Sequence, residues 1–362
     1  MKIVGVHQSS ELYGSDRSFM SAMEAVAVRD DRVIDALVIL PEEGPLSELM
    51  KAAGIRVSYE PYGYLRRHLL KQPISFLART FTTALRLRGR FVRSDVVYVN
   101  TVVCASALIA CALLRGRIRR FVHVREIPGS QERWLFKLLI RIARADVIYN
   151  SKATMDAFGM RGVVVYNGVS EPLLDVAESA QSSELRLLMI GRINAWKGQD
   201  LLLRSLLACE RAVSLRIVGS PISSQLSLLD DLRSLAVRLP KNVTCEFIEF
   251  CDDPTAHFVW SSHVVVPSIK PEPFGRVAVE ALSYGRPVIA ARHGGLPEIV
   301  DDGVNGALFD PGSEPALLSV LVAASLPGSA AYHVLSSNAR RKFSDCFSLE
   351  SYQAQIRSSL CN

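Results

Sequence analysis

Short β-rich runs alternate with helical patterns from one end of this chain to the other, and that alternation leaves few folds open. Parallel strands need crossovers of a dozen residues or more, and such crossovers are usually helices that cover both faces of the sheet. The runs fall into two sets. The first predicts strands at 2–6, 34–40, 57–60, 96–100, 120–124, 147–149 and 163–166. The second predicts them at 185–190, 214–218, 243–247, 263–266, 287–290 and 306–308. Between the sets, SEPLLDVAESAQSSE (170–184) has the acidic, small and polar character of a linker and directly precedes a fresh strand. The pattern implies two α/β domains, 1–178 and 179–345, and 362 residues are enough for each to bury its own core.

Seven cysteines at 104, 111, 209, 245, 251, 346 and 361 form no Cys-x-x-Cys pair and no regular framework. They read as reduced, mostly buried thiols, which points to a cytoplasmic protein. The opening MKIVGVHQSS passes quickly from apolar to polar residues and lacks the apolar core of a signal peptide. Residues 96–114 are uncharged over a length that could cross a bilayer as a helix. Their composition argues instead for a strand, a polar break at Asn100-Thr101 and a small-residue helix.

The formal charge of +6 belongs to the first half: residues 1–180 hold 25 Lys+Arg against 18 Asp+Glu, and residues 181–362 hold 17 against 18. Within 61–94, Arg66, Arg67, Lys71, Arg79, Arg86, Arg88, Arg90 and Arg93 occur without one acidic residue, interleaved with leucines and phenylalanines. Such a basic amphipathic stretch suits an anionic membrane surface, and it equally suits a solvated helix face. No nucleic-acid motif accompanies the charge, so nucleic acid is not expected as a partner.

The chemistry concentrates in HVVVPSIKPEPFGRVAVEAL (263–282), where a buried strand ends in a Pro-rich loop and a helix is expected to begin near Phe274 or Gly275. Glu272 lies in the loop and Glu280 about two turns into the helix, so the two carboxylates can reach groups on the order of 10 Å apart. Carboxylates accept hydrogen bonds from hydroxyl pairs, and the N–H groups of the helix start, around 274–277, favour phosphate. A second segment, LLMIGRINAWKGQD (187–200), puts Arg192 and Lys197 after a strand. A fixed arginine and lysine there could neutralise a departing diphosphate without a metal. In PVIAARHGGLPE (287–298) the paired Gly294 and Gly295 permit a tight turn and close backbone approach, either to a ligand or within the fold. Arg292 and His293 in that turn are weaker candidates.

Together, Pro-Ser, Glu-Pro-Phe-Gly and Glu-Ala-Leu in 267–282, Gly-Arg…Lys-Gly in 191–198 and Gly-Gly-x-Pro-Glu in 294–298 resemble glycosyltransferase family 4, the retaining GT-B transferases. The resemblance implies two facing Rossmann-like domains with parallel sheets and an interdomain cleft. It also implies a C-terminal helix, about 346–362, that packs back onto the first domain. It assigns Arg192 and Lys197 to the diphosphate, Glu272 to sugar hydroxyls and Glu280 to ribose. Phe274, Gly275, Arg276, Gly295 and Leu296 are implied as further donor contacts.

In the first domain, HQSSELYGSDRS (7–18) stands where the family has a glycine-bearing loop before the first helix, which makes Gly14 and Ser15 donor-binding candidates. FVHVREIPG (121–129) resembles the segment whose histidine meets the donor sugar, so His123 joins the catalytic candidates, with Arg125 and Glu126 toward the acceptor. Residues 149–152 and 165–169 resemble the family's strand-end serine and Asn-Gly-Val turn. At 247–251 this chain departs from the family's usual glycine, which leaves the nucleotide base open.

The sequence thus predicts a retaining hexosyltransferase that uses a nucleotide-diphosphate sugar and no cofactor or metal, Asp-x-Asp being absent. Its expected acceptor is saccharide or lipid-linked, in surface polysaccharide or glycan assembly, with the protein cytoplasmic or peripheral on the cytoplasmic membrane face. A nucleotide-sugar epimerase of the same fold and a non-catalytic binding subunit are the alternatives. His-Glu-x-x-His, Gly-x-Ser-x-Gly, Gly-x4-Gly-Lys-Ser/Thr and Gly-x-Gly-x-x-Gly are all absent, which disfavours peptidase, hydrolase, triphosphatase and dinucleotide oxidoreductase chemistry.

Overall fold

The computed structural model describes residues 1–29, 32–61, 63–64, 73–172, 183–221 and 225–361. They form two compact units, Met1–Gly168 with Leu349–Asn362, and Val169–Ser348. The sequence suggested breaks at 178/179 and 345/346; residues 173–182 of the linker lie outside the described residues.

The first unit is built on β1 (Lys2–His7), β4 (Asp35–Leu40), β5 (Arg56–Tyr59), β6 (Val96–Asn100), β7 (Arg119–Val124), β8 (Asp146–Tyr149) and β9 (Val163–Val164), in the order β5-β4-β1-β6-β7-β8-β9. Every pairing in this sheet is parallel. Between β1 and β4, β2 (Val28–Arg29) and β3 (Arg32–Val33) form a small antiparallel pair that the alternation did not reveal. The helices of this unit are α1 (Gly14–Ala27), α2 (Pro45–Ala52), α3 (Pro73–Phe91), α4 (Ala105–Ala112), α5 (Ser130–Ala143) and α6 (Lys152–Phe158). All five residues of β6 are buried, as expected of a central strand covered on both faces, which is why its sequence reads as a continuous apolar run. The uncharged 96–114 stretch is therefore β6, a turn and α4. Among the described residues no helix is long and apolar enough to cross a membrane.

The second unit has β10 (Leu185–Ile190), β11 (Val213–Val218), β12 (Val243–Ile248), β13 (His263–Val266), β14 (Val288–Ala291) and β15 (Gly306–Phe309), in the order β12-β11-β10-β13-β14-β15 and again all parallel. Its helices are α7 (Gln199–Leu206), α8 (Leu226–Ala236), α9 (Thr255–Trp260), α10 (Arg276–Ser283), α11 (Leu296–Ile299), α12 (Glu314–Ala323) and α13 (Ala330–Cys346). One core joins Leu187 and Leu215 of the sheet to Leu202 of α7 and Leu317 of α12.

The last helix, α14 (Leu349–Cys361), belongs to the first unit. Its Tyr352, Ile356 and Leu360 share a core with Phe19, Met23 and Tyr98. Arg119 Nη2 donates to the carbonyl of Leu360 at 2.7 Å, and Arg357 Nε to that of Ala25 at 3.0 Å. Both sheets run outward from their first strand in two directions, so each has a switch point, β1/β6 and β10/β13, where loops diverge at the carboxyl ends and leave room for a ligand.

Candidate functional site

The loops after β10 and β13 meet at the second switch point. Asn194 Oδ1 accepts the N–H groups of Trp196 at 3.2 Å and Lys197 at 3.0 Å, a local turn that fixes the lysine backbone. Gly198 follows at φ 84°, and a Cβ there would stand 2.1 Å from the Pro267 carbonyl oxygen, so only glycine lets the two loops touch. The carbonyl of Trp196 accepts the N–H of Ile269 at 2.8 Å. Lys197 Nζ is thereby brought within 2.6 Å of Glu272 Oε1, and it lies 4.5 Å from the centre of the Trp196 ring. Ser268 Oγ donates to the same carboxylate oxygen at 2.6 Å. Glu272 is buried, while Lys197 keeps about a fifth of its side chain exposed (22%). A nearly desolvated carboxylate with a cation and a hydroxyl on one oxygen keeps acceptor capacity for hydroxyl groups.

The loop after β14 clamps this arrangement. Gly295 N–H donates to the Glu272 carbonyl at 2.8 Å, and His293 Nε2 donates to the Ser268 carbonyl at 2.7 Å. A Cβ on Gly294 would stand 2.3 Å from the Glu272 oxygen, and one on Gly295 2.7 Å from the Phe274 oxygen. The close approach that the paired glycines allow is thus to the backbone of 272–274. Gly275, at φ 108°, begins α10, and the Leu296 side chain, fully buried, packs against it. The Phe274 ring is buried too, edge-on to Phe347 at 6.0 Å. The side chains of Phe274 and Leu296 are therefore taken up by packing within the fold. Arg276 Nε donates to Glu280 Oε1 at 2.8 Å, an ion pair one turn apart and about a quarter exposed. Arg192 is exposed at the end of β10. Arg292 instead pairs with Asp302 and donates to the Leu308 carbonyl, which ties it to β15.

At the β1/β6 switch point, His7 Nε2 lies 2.6 Å from Asp16 Oδ1, and Asp16 Oδ2 accepts the N–H of Tyr13 at 2.8 Å. This cap starts α1 at Gly14, earlier than the loop of 7–18 suggested, so Gly14 and Ser15 are the first residues of a helix. Ser15 Oγ donates to Asp16 Oδ1 at 3.3 Å.

His123, at the carboxyl end of β7, is fully buried. Its Nδ1 lies 2.8 Å from the Tyr98 hydroxyl and 3.2 Å from Arg125 Nη2. A guanidinium only donates, so Nδ1 accepts and the proton sits on Nε2, which has no partner among the described residues. Burial, reinforced by the Arg125 charge, holds the ring well below the usual histidine range and neutral. Arg125 itself spans the rim, donating to Asn100 Oδ1 at 2.6 Å, to Asn167 Oδ1 and, at 3.2 Å, to the hydroxyl of Tyr352 on α14.

Sequence reasoning passed over Ser268, Asn194 and Asp16 as individual residues. Ser268 carried a signal, since it belongs to the Pro-Ser flank of the glutamate segment. Asn194 and Asp16 act on backbone groups two or three residues away, which polar residues in many loops also do.

Residues 174–342 match the family described as glycosyl transferases group 1. The D-inositol 3-phosphate glycosyltransferase of Mycobacterium sp. (strain KMS) is 40% identical over 129 residues, 35% of this chain and 29% of that protein. That of Streptomyces bingchenggensis is 34% identical over 170 residues, 42% of this chain and 37% of that one. The matched stretch thus spans well under half the length of these relatives. Among solved structures, Anabaena HepE in complex with UDP has a TM-score of 0.79 and 25% identity, with 99% of each chain covered. Residues 174–342, just under half of the chain, are thus similar to the group 1 glycosyl transferases, and the two parallel-sheet units have the GT-B fold.

Proposed function

We propose that this chain is a retaining hexosyltransferase that moves a hexosyl unit from a nucleotide-diphosphate sugar to an acceptor hydroxyl without a metal. One observation carries the reading: Lys197, Ser268 and Glu272 converge at the β10/β13 switch point, inside the segment that matches the group 1 transferases. In this reading Lys197 and Arg192 balance the charge gathering on the departing diphosphate, and Glu272 accepts hydrogen bonds from sugar hydroxyls. Glu280 takes the ribose hydroxyls, and the first turn of α10, from Gly275, meets the phosphates. From the first unit, the reading assigns the Nε2–H of His123 to the donor sugar and Gly14 and Ser15 to the phosphates. A sugar oxygen would supply the acceptor that Nε2 lacks among the described residues.

The donor we favour is a UDP-hexose, because the similar HepE structure has also been solved with UDP-glucose, at 25% identity and a TM-score of 0.78. The acceptor does not follow from the inositol phosphate transferases, whose match covers only part of this chain. A lipid-linked or saccharide acceptor at the cytoplasmic membrane face, in surface polysaccharide assembly, is supported by the first unit's basic charge. Arg66, Arg67 and Lys71 of that segment lie outside the described residues. On α3, Arg79 and Arg86 accompany exposed Leu77, Phe81 and Leu85.

The test is thermal stabilisation by UDP-, GDP-, ADP- and TDP-sugars with EDTA present, repeated on Glu280→Ala. A nucleotide at about 100 times its Kd adds roughly 2.7 kcal/mol. A shift with one nucleotide class, lost in the variant, is the expected result. Product with inverted anomeric configuration would overturn the retaining assignment.

A further inference from the structure

A cavity of about 450 Å³ lies at the amino ends of β13, β14 and β15, between the end of α12 and the start of α13. Pro287, Ile289, Ala307, Val320, Ala324 and Leu335 stand on its walls, and His263 and Ser325 are the only polar side chains that line it. Ala331 and Val334 line it too and are exposed, so the cavity reaches solvent on that side. Its volume and apolar walls are those of a small-molecule site. Lys197 and Glu272 follow the carboxyl ends of β10 and β13, at the other end of the sheet, so the donor chemistry leaves this cavity unused.

His263 is 2% exposed, and its ring makes one hydrogen bond among the described residues, between Nδ1 and Ser262 Oγ at 3.2 Å. The serine fixes which side donates. Ser262 Oγ gives its single hydrogen to the Arg186 carbonyl at 2.9 Å and accepts the Arg186 N–H at 3.0 Å. Nδ1 therefore carries the ring proton, and Nε2 is left as an acceptor with no donor among the described residues. Tyr332 does not supply one: its ring meets that of His263 edge-on at 5.5 Å, but its hydroxyl donates to the Ser262 carbonyl at 2.9 Å. Protonation does not satisfy Nε2 either, because burial, with the charges of Arg211 and Arg286, pushes the ring down to about 3. A nearly buried acceptor on the wall of an apolar cavity thus lacks a hydrogen.

The same surroundings say what could bring it. Arg211 Nη1 donates to the carbonyls of Leu321, Val322 and Ala324 at 3.1, 2.9 and 2.6 Å, which closes the end of α12. Arg286 Nε and Nη2 donate to the carbonyls of Phe258 and Val259, each at 3.0 Å. Both guanidiniums are thereby committed to backbone, and none of the side chains that line the cavity is charged. An anion would find no countercharge there, and a body rich in hydroxyls would lose its water without replacement.

We propose that this cavity binds a small, uncharged, apolar alcohol, whose hydroxyl donates to His263 Nε2 and whose hydrocarbon body fills the space between the sheet, α12 and α13. The site stands independently of the transferase reading.

The probes are thymol and p-cymene, which share a shape and differ by one hydroxyl. Calorimetric titration of the full chain near neutral pH is expected to show one thymol site, with p-cymene binding about fivefold more weakly for want of the hydrogen bond. The Nε2 NMR resonance of His263 should move with thymol and stay with p-cymene. His263→Leu should bind the two alike. Val320→Phe, which fills the cavity from α12, should bind neither. Ala331→Phe fills it from an exposed position that carries little of the core, so it keeps the test open if Val320→Phe does not fold. Equal affinity for the two probes in wild type overturns the proposal, because the hydroxyl then contributes nothing. Thymol binding that persists in a folded Phe variant places the ligand elsewhere and overturns it too. No binding of either probe shows that water alone occupies the cavity, with the same consequence.

Discussion

Lys197 and Glu272 are 75 residues apart in sequence, yet Nζ and Oε1 lie 2.6 Å apart, with Ser268 Oγ on the same oxygen. The sheet order explains the meeting. β10 and β13 are neighbours, and the chain leaves the first for β11 and the second for β14, in opposite directions across the sheet. The loops at their carboxyl ends therefore face each other with no crossover helix between them.

The pair should behave as a unit in a double-mutant cycle. Lys197→Ala leaves a buried carboxylate with Ser268 alone, and Glu272→Gln leaves an ammonium that can turn to water. Lys197→Ala is expected to cost more stability, on the order of 1–3 kcal/mol, and the double variant less than the sum of the two. Both single variants should lose UDP-sugar turnover by at least about a hundredfold while remaining folded. Urea unfolding and UDP release measure the two effects, and a Lys197→Ala enzyme at wild-type rate would sink the assignment of the diphosphate to Lys197.

Gly294 tests how far the paired glycines serve the site through the fold. It has φ 59°, and an added Cβ would meet the Glu272 backbone at 2.3 Å, whereas Gly303 at φ 75° faces open space. Gly303→Ala should cost about 1 kcal/mol for the backbone conformation alone, and Gly294→Ala clearly more. Only Gly294→Ala should also weaken UDP-sugar binding, because only there does relief require Glu272 to move. Equal losses of stability and binding in the two variants would show that the clash is absorbed elsewhere.

The legible part of this molecule is the part written in local pattern. The central strands are buried on both faces, so β6 and β13 appear as valine-rich runs, and the glutamate segment announces itself through its flanks. The rim of the first unit is not written that way. His7 meets Asn100 across 93 residues, and Arg125 meets Tyr352 across 227, so no window of sequence contains the partners. Thr101, at φ 85°, gives no local warning either, since a β-branched residue is ordinarily a reason to expect extended backbone. Sequence reasoning also passed over α5 as a surface, although Trp134, Leu138 and Ile142 turn outward there beside Arg133, Lys137 and Arg141.

His263 sets an acid limit on stability. It is buried at the start of β13, its ring 5.5 Å from that of Tyr332, and burial, with the charges of Arg211 and Arg286, pushes it down to about 3. The folded value lies below the unfolded one, so the stability tied to the neutral ring is complete above about 6.5 and is lost as pH falls toward about 3. A single such group contributes a slope of at most about 1.4 kcal/mol per pH unit. His263→Leu removes the proton site, so its stability gap to wild type at neutral pH should shrink as the solution is acidified. Urea midpoints along the acid range read this directly, and a constant gap would mean that His263 is not the group that resists protonation.

The first unit presents a surface that a membrane-borne acceptor would make useful. Helices α3, α4 and α5 pack into one core through Leu87, Phe91, Leu108, Phe136 and Ile140. That burial leaves Leu77, Phe81 and Leu85 of α3 exposed at 65%, 50% and 49%, and Trp134 and Ile142 of α5 at 66% and 52%. Basic residues flank both stripes, and although Arg86 already pairs with Glu60 at 2.8 Å, an anionic bilayer would offer further countercharge to the arginines and an apolar boundary to the rings. Near such a surface each arginine or lysine contributes about 1 kcal/mol, and salt screens that share but not the apolar one. Binding to phosphatidylserine vesicles should therefore weaken in high salt without vanishing, and fall further in the Phe81→Ser, Trp134→Ser double variant. Neutral phosphatidylcholine vesicles should bind weakly at any salt. Co-sedimentation measures all three, and binding that ignores salt, or none to anionic vesicles, would detach the basic surface from the acceptor and leave it a solvated face.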